Sequence, residues 1–240
     1  MSDIQNTEEI RNTKHPWTLL GLWFAAMAGL AFVLASWNNP SFNYWRKGSL
    51  GASTLETLGL LIGITVIVVL ERSQSVSKLR EIFCLQRFRT EYGIRWLFLG
   101  VAVGLLLCLK PSAWQSQSSV QQAIIHRAIG EGGLGYFFLF SLVISPFLEE
   151  AILRAYLYDA FQSRYSRPIA YALVGMLNII FHYGEVRGSF FYAYWYAGLG
   201  ILFCYVFSTR RNLMDSIACH VGYNVARAII ITKWVLSVSH

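Results

Sequence analysis

The sequence has little charge, little proline and few cysteines for its length. Only 14% of its 240 residues are charged, whereas 55% are hydrophobic, and the mean hydropathy is +0.44. This balance lies outside the usual range of a soluble globular domain. The four cysteines form neither a CxxC pair nor a zinc-ligand spacing, which argues against a disulfide framework and a structural zinc site. The first residues also lack the apolar core and cleavage site of a signal peptide.

Long apolar runs occupy most of the chain instead. A helix needs about 20 apolar residues to cross the bilayer core. Seven candidate runs lie at 17–37, 50–70, 96–109, 132–161, 168–183, 188–209 and 213–235. The sequence therefore predicts an all-α fold, a polytopic transmembrane helical bundle of about seven to eight spans. We expect N-terminal spans and loops over 1–133 and a helical core over 134–240, joined in one membrane domain.

The basic residues lie mainly between these runs and produce a net charge of +7. Lys and Arg concentrate in the loops 72–95, 163–167 and 208–212, which fall on one side if the spans alternate. Because cytoplasmic loops carry an excess of Lys and Arg, the pattern predicts a multi-pass integral membrane protein with a cytoplasmic N-terminus. The expected partner is the lipid bilayer. No nucleic-acid-binding motif is visible, so no nucleic acid is expected.

Ionisable residues inside apolar runs usually mark function, and the first such group is Glu149-Glu150-Ala-Ile-Leu-Arg154. On a helix, Glu150 and Arg154 share a face and can pair, while Glu149 points about 100° away. One carboxylate can therefore be held by the arginine while the other is free to act as a base. Pro146 removes a helix hydrogen bond nearby and predicts a distortion there.

Two further groups lie in later runs. His182 is near the end of the 168–183 run, and His220-Val-Gly-Tyr-Asn224 lies in the last one. His220 and Asn224 are one turn apart on one helix face, so both can donate hydrogen bonds to one point, as an oxyanion site requires. Taken singly, each group is also consistent with polar contacts between packed membrane helices, and a lone histidine such as His182 is more often a packed, hydrogen-bonded residue than a catalytic one.

In this order, EExxxR, His and HxxxN resemble the motifs of the CPBP family of CAAX proteases and bacteriocin-processing enzymes, also called Abi or Rce1-like. The resemblance covers 134–235. One position departs from the family pattern: the middle motif is usually FxxxH, and Asn178 occupies the aromatic position before His182.

The resemblance implies an intramembrane glutamic endopeptidase that needs no metal or cofactor and acts on a membrane-associated protein or peptide. Glu149 would activate water with help from His182, and the two glutamates could exchange roles. His220 and Asn224 would bind the oxyanion, and Glu150 with Arg154 would form a supporting pair.

Two other hypotheses remain open at this point. Two histidines and a carboxylate can form a catalytic zinc set, which would make Glu149, His182 and His220 the ligands of a membrane metalloprotease, although HExxH is absent. The fold could also serve a non-catalytic immunity or scaffold protein. The substrate, which could be a prenylated protein, a pheromone or bacteriocin, or a sorting tail, and the oligomeric state are not readable from the sequence.

Overall fold

The computed structural model describes residues 21, 89–106, 138–182 and 190–238, and these are almost entirely helical. The predicted runs 17–37 and 50–70 lie outside the described residues. The elements are α1 (Thr90–Leu106), π1 (Phe140–Ile144), α2 (Ser145–Glu150), π2 (Ala151–Tyr158), α3 (Asp159–Gln162), α4 (Arg167–Phe181), α5 (Phe190–Arg210) and α6 (Leu213–Val238). The all-α class is confirmed, and each of the last five predicted runs contains a helix.

The helix α1 begins at Thr90, inside the segment that the sequence predicts as a loop. Its first turn contains Glu91, a charge that favours a helix N-terminus. The guanidinium of Arg95 lies 5.6 Å from the centre of the Tyr92 ring on the preceding turn. The charged residues therefore belong to the helix start, and the predicted loop boundary is wrong at this end.

The elements π1 to α3 form one continuous helix over 140–162, which we call the composite helix. Pro146 lies in the first turn of α2, directly after the wide turns of π1. Proline has no N–H, and its ring clashes with the carbonyl one turn earlier, so a widened turn accommodates it. The predicted distortion is present, as π-helical turns. Such turns are rare and often occur at functional sites.

The helices α1 and α6 approach each other at backbone distance. A methyl group built on Gly100 would lie 1.9 Å from the carbonyl oxygen of Cys219, and one built on Gly222 would lie 2.1 Å from that of Leu97. Glycine on both sides is what permits this contact, as in the small-xxx-small pairs of membrane helices. The packing positions α6, which carries His220, against α1.

One end of the bundle gathers several basic residues. Arg211, in the turn between α5 and α6, pairs with Asp159 of α3, and Arg210 lies 3.9 Å over the ring of Tyr92 in α1. The start of α1, the element α3 and the turn between α5 and α6 therefore meet at the same end of the bundle.

Among the described helices, Phe190–Arg210 is long and apolar enough to cross a membrane, and Arg167–Phe181 is apolar but shorter. The seven to eight spans therefore stay a prediction.

Candidate active site

The two adjacent glutamates lie at the end of α2, in the middle of the composite helix. Both are buried, with 4% exposure for Glu149 and 0% for Glu150. A buried charge is costly unless it is paired and hydrogen-bonded. The partners of each carboxylate therefore indicate what each can do.

The carboxylate of Glu150 is saturated with partners. Arg154 Nη1 lies 3.1 Å from Oε1, and His220 Nδ1 lies 2.8 Å from the same oxygen. The hydroxyl of Ser216 donates to Oε2. The pair with Arg154 that the spacing predicts is thus present, and both of its side chains are completely buried.

The carboxylate of Glu149 is held on one side only. The hydroxyl of Ser145, one turn earlier, donates to Oε1. Within the part of the chain that the structure describes, Oε2 is buried and accepts no hydrogen bond. It faces His182 Nε2 at 3.5 Å and His220 Nε2 at 4.0 Å. One carboxylate oxygen and two imidazole nitrogens therefore face one another in a small region.

His182 follows the last residue of α4 and forms its C-cap. Its backbone N–H donates to the carbonyl of Asn178 at 3.2 Å. The imidazole stacks on the Tyr196 ring of α5, with centroids 4.3 Å apart and planes 15° apart. Its side chain is 18% exposed, so His182 lies at the edge of the site while the glutamates lie deeper.

His220 links the two glutamates from α6. Its Nδ1 contacts Glu150 and its Nε2 faces Glu149. The ring stacks on Phe203 of α5, with centroids 4.7 Å apart and planes 19° apart. The buried Arg154 lies over the same aromatic ring, 5.1 Å from its centroid.

Asn224 lies one turn beyond His220 and reaches the composite helix. Its Nδ2 donates to the carbonyl oxygen of Ser141 in π1 at 2.9 Å. One of the two amide hydrogens is therefore used to join α6 to the start of the composite helix. The other hydrogen is the one that an oxyanion could take.

Four residues of the site are not among those singled out from the sequence. Ser145 and Ser216 stand four residues before Glu149 and His220. This spacing places each serine on the same helix face as the predicted site residue that follows it and could have revealed both. Tyr196 and Phe203 belong to a helix that contains many aromatic residues, so no local signal distinguishes them.

A metal site of three or more His, Cys, Asp or Glu side chains is not found among the residues described. The arrangement present is a carboxylate with two imidazoles, backed by a second, fully paired carboxylate. The described residues therefore define the class: a helical protein that encloses acid–base groups between apolar helices.

A comparison with protein-family models then identifies the family. Residues 132–226 match the model described as Type II CAAX prenyl endopeptidase Rce1-like, and this matched region includes all six residues singled out from the sequence. This part of the chain is therefore similar to the Rce1-like CAAX protease family, in agreement with the resemblance that the motifs indicate. Searches of curated proteins and of solved structures found no match.

Proposed function

We propose that the chain is an intramembrane endopeptidase that hydrolyses a peptide bond with a water activated by Glu149. The observation that carries the proposal is the environment of Glu149 Oε2: a buried carboxylate oxygen that accepts no hydrogen bond from the described residues and faces two imidazole nitrogens. A general base must lie within reach of the proton that it removes. A water beside this oxygen and Nε2 of His182, which lie 3.5 Å apart, would be within hydrogen-bond reach of both.

The proposed reaction begins when a water bound to Glu149 and His182 attacks the peptide carbonyl carbon. The water transfers one proton to Glu149 Oε2 as the new C–O bond forms. When the tetrahedral intermediate collapses, the C–N bond breaks and Glu149 returns the proton to the leaving amine. The products are a carboxylic acid and an amine; the acid then loses its proton to the amine or to solvent, and the glutamate is regenerated without a cofactor.

In this mechanism Glu150 acts through His220 and not on the substrate. Its contacts with Arg154 and Ser216 fix the carboxylate, and the carboxylate in turn fixes His220 through Nδ1. When the His220 ring is protonated, Nδ1 donates to Glu150 and Nε2 can donate to the oxyanion. The second amide hydrogen of Asn224 is the other proposed donor. Donors positioned in advance stabilise such an oxyanion strongly.

We further propose a membrane-associated protein or peptide as the substrate. The partly exposed His182 marks the edge through which a peptide would reach the deeper glutamates. The family's name points to prenylated C-termini as the first class to test. The multi-pass topology of seven to eight spans with a cytoplasmic N-terminus is part of the proposal, and reporter fusions in the loops would test it.

The test compares protein C-termini in cells that express the wild type, Glu149→Gln or Glu91→Gln. The first variant keeps the size of the side chain and removes the base. The second makes the same change at an exposed glutamate in α1 and serves as the matched control.

Mass spectrometry should find shortened C-termini with the wild type and the control, and none of them with Glu149→Gln at equal expression and membrane insertion. Cleavage by Glu149→Gln at the wild-type rate, or the same termini in all three samples, would reject the mechanism.

A further inference from the structure

The helix α5 carries none of the six residues singled out from the sequence, yet it contacts both imidazoles of the site. The Tyr196 ring lies flat against His182, and the Phe203 ring lies flat against His220. Both aromatic rings are buried, at 1% and 2% exposure. The two positions are seven residues apart, which places them on one face of α5.

A parallel ring restricts how an imidazole can turn. The terminal torsion of histidine is broad and roughly two-fold, so an imidazole in an open space can exchange the positions of its two nitrogens. The stacked Tyr196 ring, 4.3 Å away, covers one face of His182 and limits that rotation. The orientation matters because Nε2 of His182 is the nitrogen that faces Glu149.

The position of Tyr196 is itself fixed from α4. Asn178 Nδ2 donates to the Tyr196 carbonyl oxygen at 2.7 Å, and both residues are buried. A methyl group on Gly200, one turn after Tyr196, would lie 2.9 Å from the Cβ of Asn178, so only a glycine there allows α4 and α5 to come this close. Asn178 thereby sets the height of the Tyr196 ring relative to His182, which lies four residues further along the chain and caps α4.

Phe203 is held in a comparable way from the composite helix. The guanidinium of Arg154 lies 5.1 Å from its centroid, a distance at which a cation and an aromatic ring attract each other. Its backbone carbonyl accepts a hydrogen bond from Ser216 at 3.2 Å. Arg154 and Ser216, which contact Glu150, therefore also contact Phe203, the residue whose ring stacks on His220.

We propose that Tyr196 and Phe203 are positioning residues: one helix presets the ring planes of the two histidines that act beside Glu149. The proposal rests on the proposed function, because it assigns these residues a role in the same reaction. Asn178 is part of this proposal, because its hydrogen bond to the Tyr196 carbonyl oxygen holds Tyr196 at the level of His182.

The first test reads the histidine rings without substrate. The protein carries five histidines, so with ¹³C-labelled histidine in detergent micelles the ring resonances can be assigned by single His→Gln variants. Tyr196→Leu removes the aromatic ring, Tyr196→Phe keeps it, and Tyr194→Leu makes the same change at a site that is 78% exposed on the same helix. If Tyr196→Leu is not recovered folded, Tyr196→Met replaces it.

In the wild type, the ring current of Tyr196 should shift the His182 resonance away from the position that it has in Tyr196→Leu, which lacks the aromatic ring. The proposal predicts a shifted His182 signal in Tyr196→Leu and a wild-type-like signal in Tyr196→Phe and Tyr194→Leu. An unchanged His182 signal in Tyr196→Leu, or an equal change in Tyr194→Leu, would overturn it. Phe203→Leu, with the 86% exposed Phe190→Leu as control, gives the same comparison for His220.

The second test separates positioning from structure by kinetics. With a quenched fluorescent peptide that carries a farnesylated cysteine, Tyr196→Leu should lower kcat about two- to tenfold, the value of one aromatic contact. KM should stay unchanged, and Tyr196→Phe should restore kcat. A rise in KM at constant kcat would contradict the assignment. The histidine resonances are measured without turnover, so they test the positions of the rings even if the glutamate mechanism is wrong. The cleavage assay with Glu149→Gln tests the glutamate mechanism separately.

Discussion

The buried pair of Glu150 and Arg154 leads to the sharpest stability prediction. Both side chains have 0% exposure, and the charged atoms lie 3.1 Å apart. The substitution Arg154→Met keeps the length and apolar bulk of the side chain but removes the guanidinium that pairs with Glu150. Removing one partner of a buried pair typically costs about 3–5 kcal/mol, because the remaining charge stays buried without compensation.

Unfolding in mixed micelles with increasing sodium dodecyl sulfate would measure the free energy. Arg154→Met should lower the free energy of unfolding by about 3–5 kcal/mol. The double variant Glu150→Gln with Arg154→Met removes both charges and should cost less than the sum of the two single variants, by about 0.5–3 kcal/mol.

A matched control is available at the surface of the same molecule. Arg211 pairs with Asp159 where the two side chains are 46% and 24% exposed, and an exposed pair contributes at most about 1 kcal/mol. Arg211→Met should therefore have a small effect. If Arg154→Met costs no more than Arg211→Met, or if the double variant is strictly additive, the reasoning about the buried pair is wrong.

Three further predictions concern packing, the base and the metal alternative. Gly222→Ala should lower the free energy of unfolding by about 1–3 kcal/mol, since its methyl group would lie 2.1 Å from the Leu97 carbonyl oxygen. The control Gly198→Ala, whose methyl group would meet nothing within 4 Å, should be neutral or stabilising. The same micelle titration measures both variants. Ser145→Ala should lower kcat about tenfold with KM unchanged, because Glu149 loses the donor that orients it; a wild-type kcat would contradict this role. Chelation with EDTA should leave cleavage of the farnesylated probe unchanged, whereas a loss that zinc restores would favour the metalloprotease hypothesis.

The fold was predictable where hydrophobicity alone decides it. Apolar runs locate the helices α4, α5 and α6 closely, because a segment without charges in this composition is most stable as a buried or lipid-facing helix. The start of α1 lies outside the predicted apolar run because hydropathy assigns the charged Glu91 and Arg95 to a loop. Charged residues at a helix end are compatible with the helix, so hydropathy alone cannot locate such an end.

The site was predictable within helices and not between them. Spacing along one helix correctly indicates that Glu150 can reach Arg154, because that geometry depends only on the helical turn. The contact of His220 with Glu150 depends on how α6 packs against the composite helix, and no local pattern encodes that. Counting 1.5 Å per residue from the ends of the predicted runs on the basic side of the bundle places Glu149 deeper between the helices than His220. The π turns after Glu150 hold more residues per turn, so they advance less per residue and reduce that difference.

The ambiguity between the two glutamates shows what packing adds to spacing. Adjacent helical residues point about 100° apart, so the sequence implies two different surroundings without saying which belongs to which residue. In the structure α6 lies on the side of Glu150, where Ser216 and His220 bind it, and the end of α4 lies on the side of Glu149. His220 touches both environments through its two ring nitrogens. A change at Glu150 would therefore reach Glu149 through the orientation of one imidazole, which is why we expect the two acids to be coupled although only one of them is proposed to act on water.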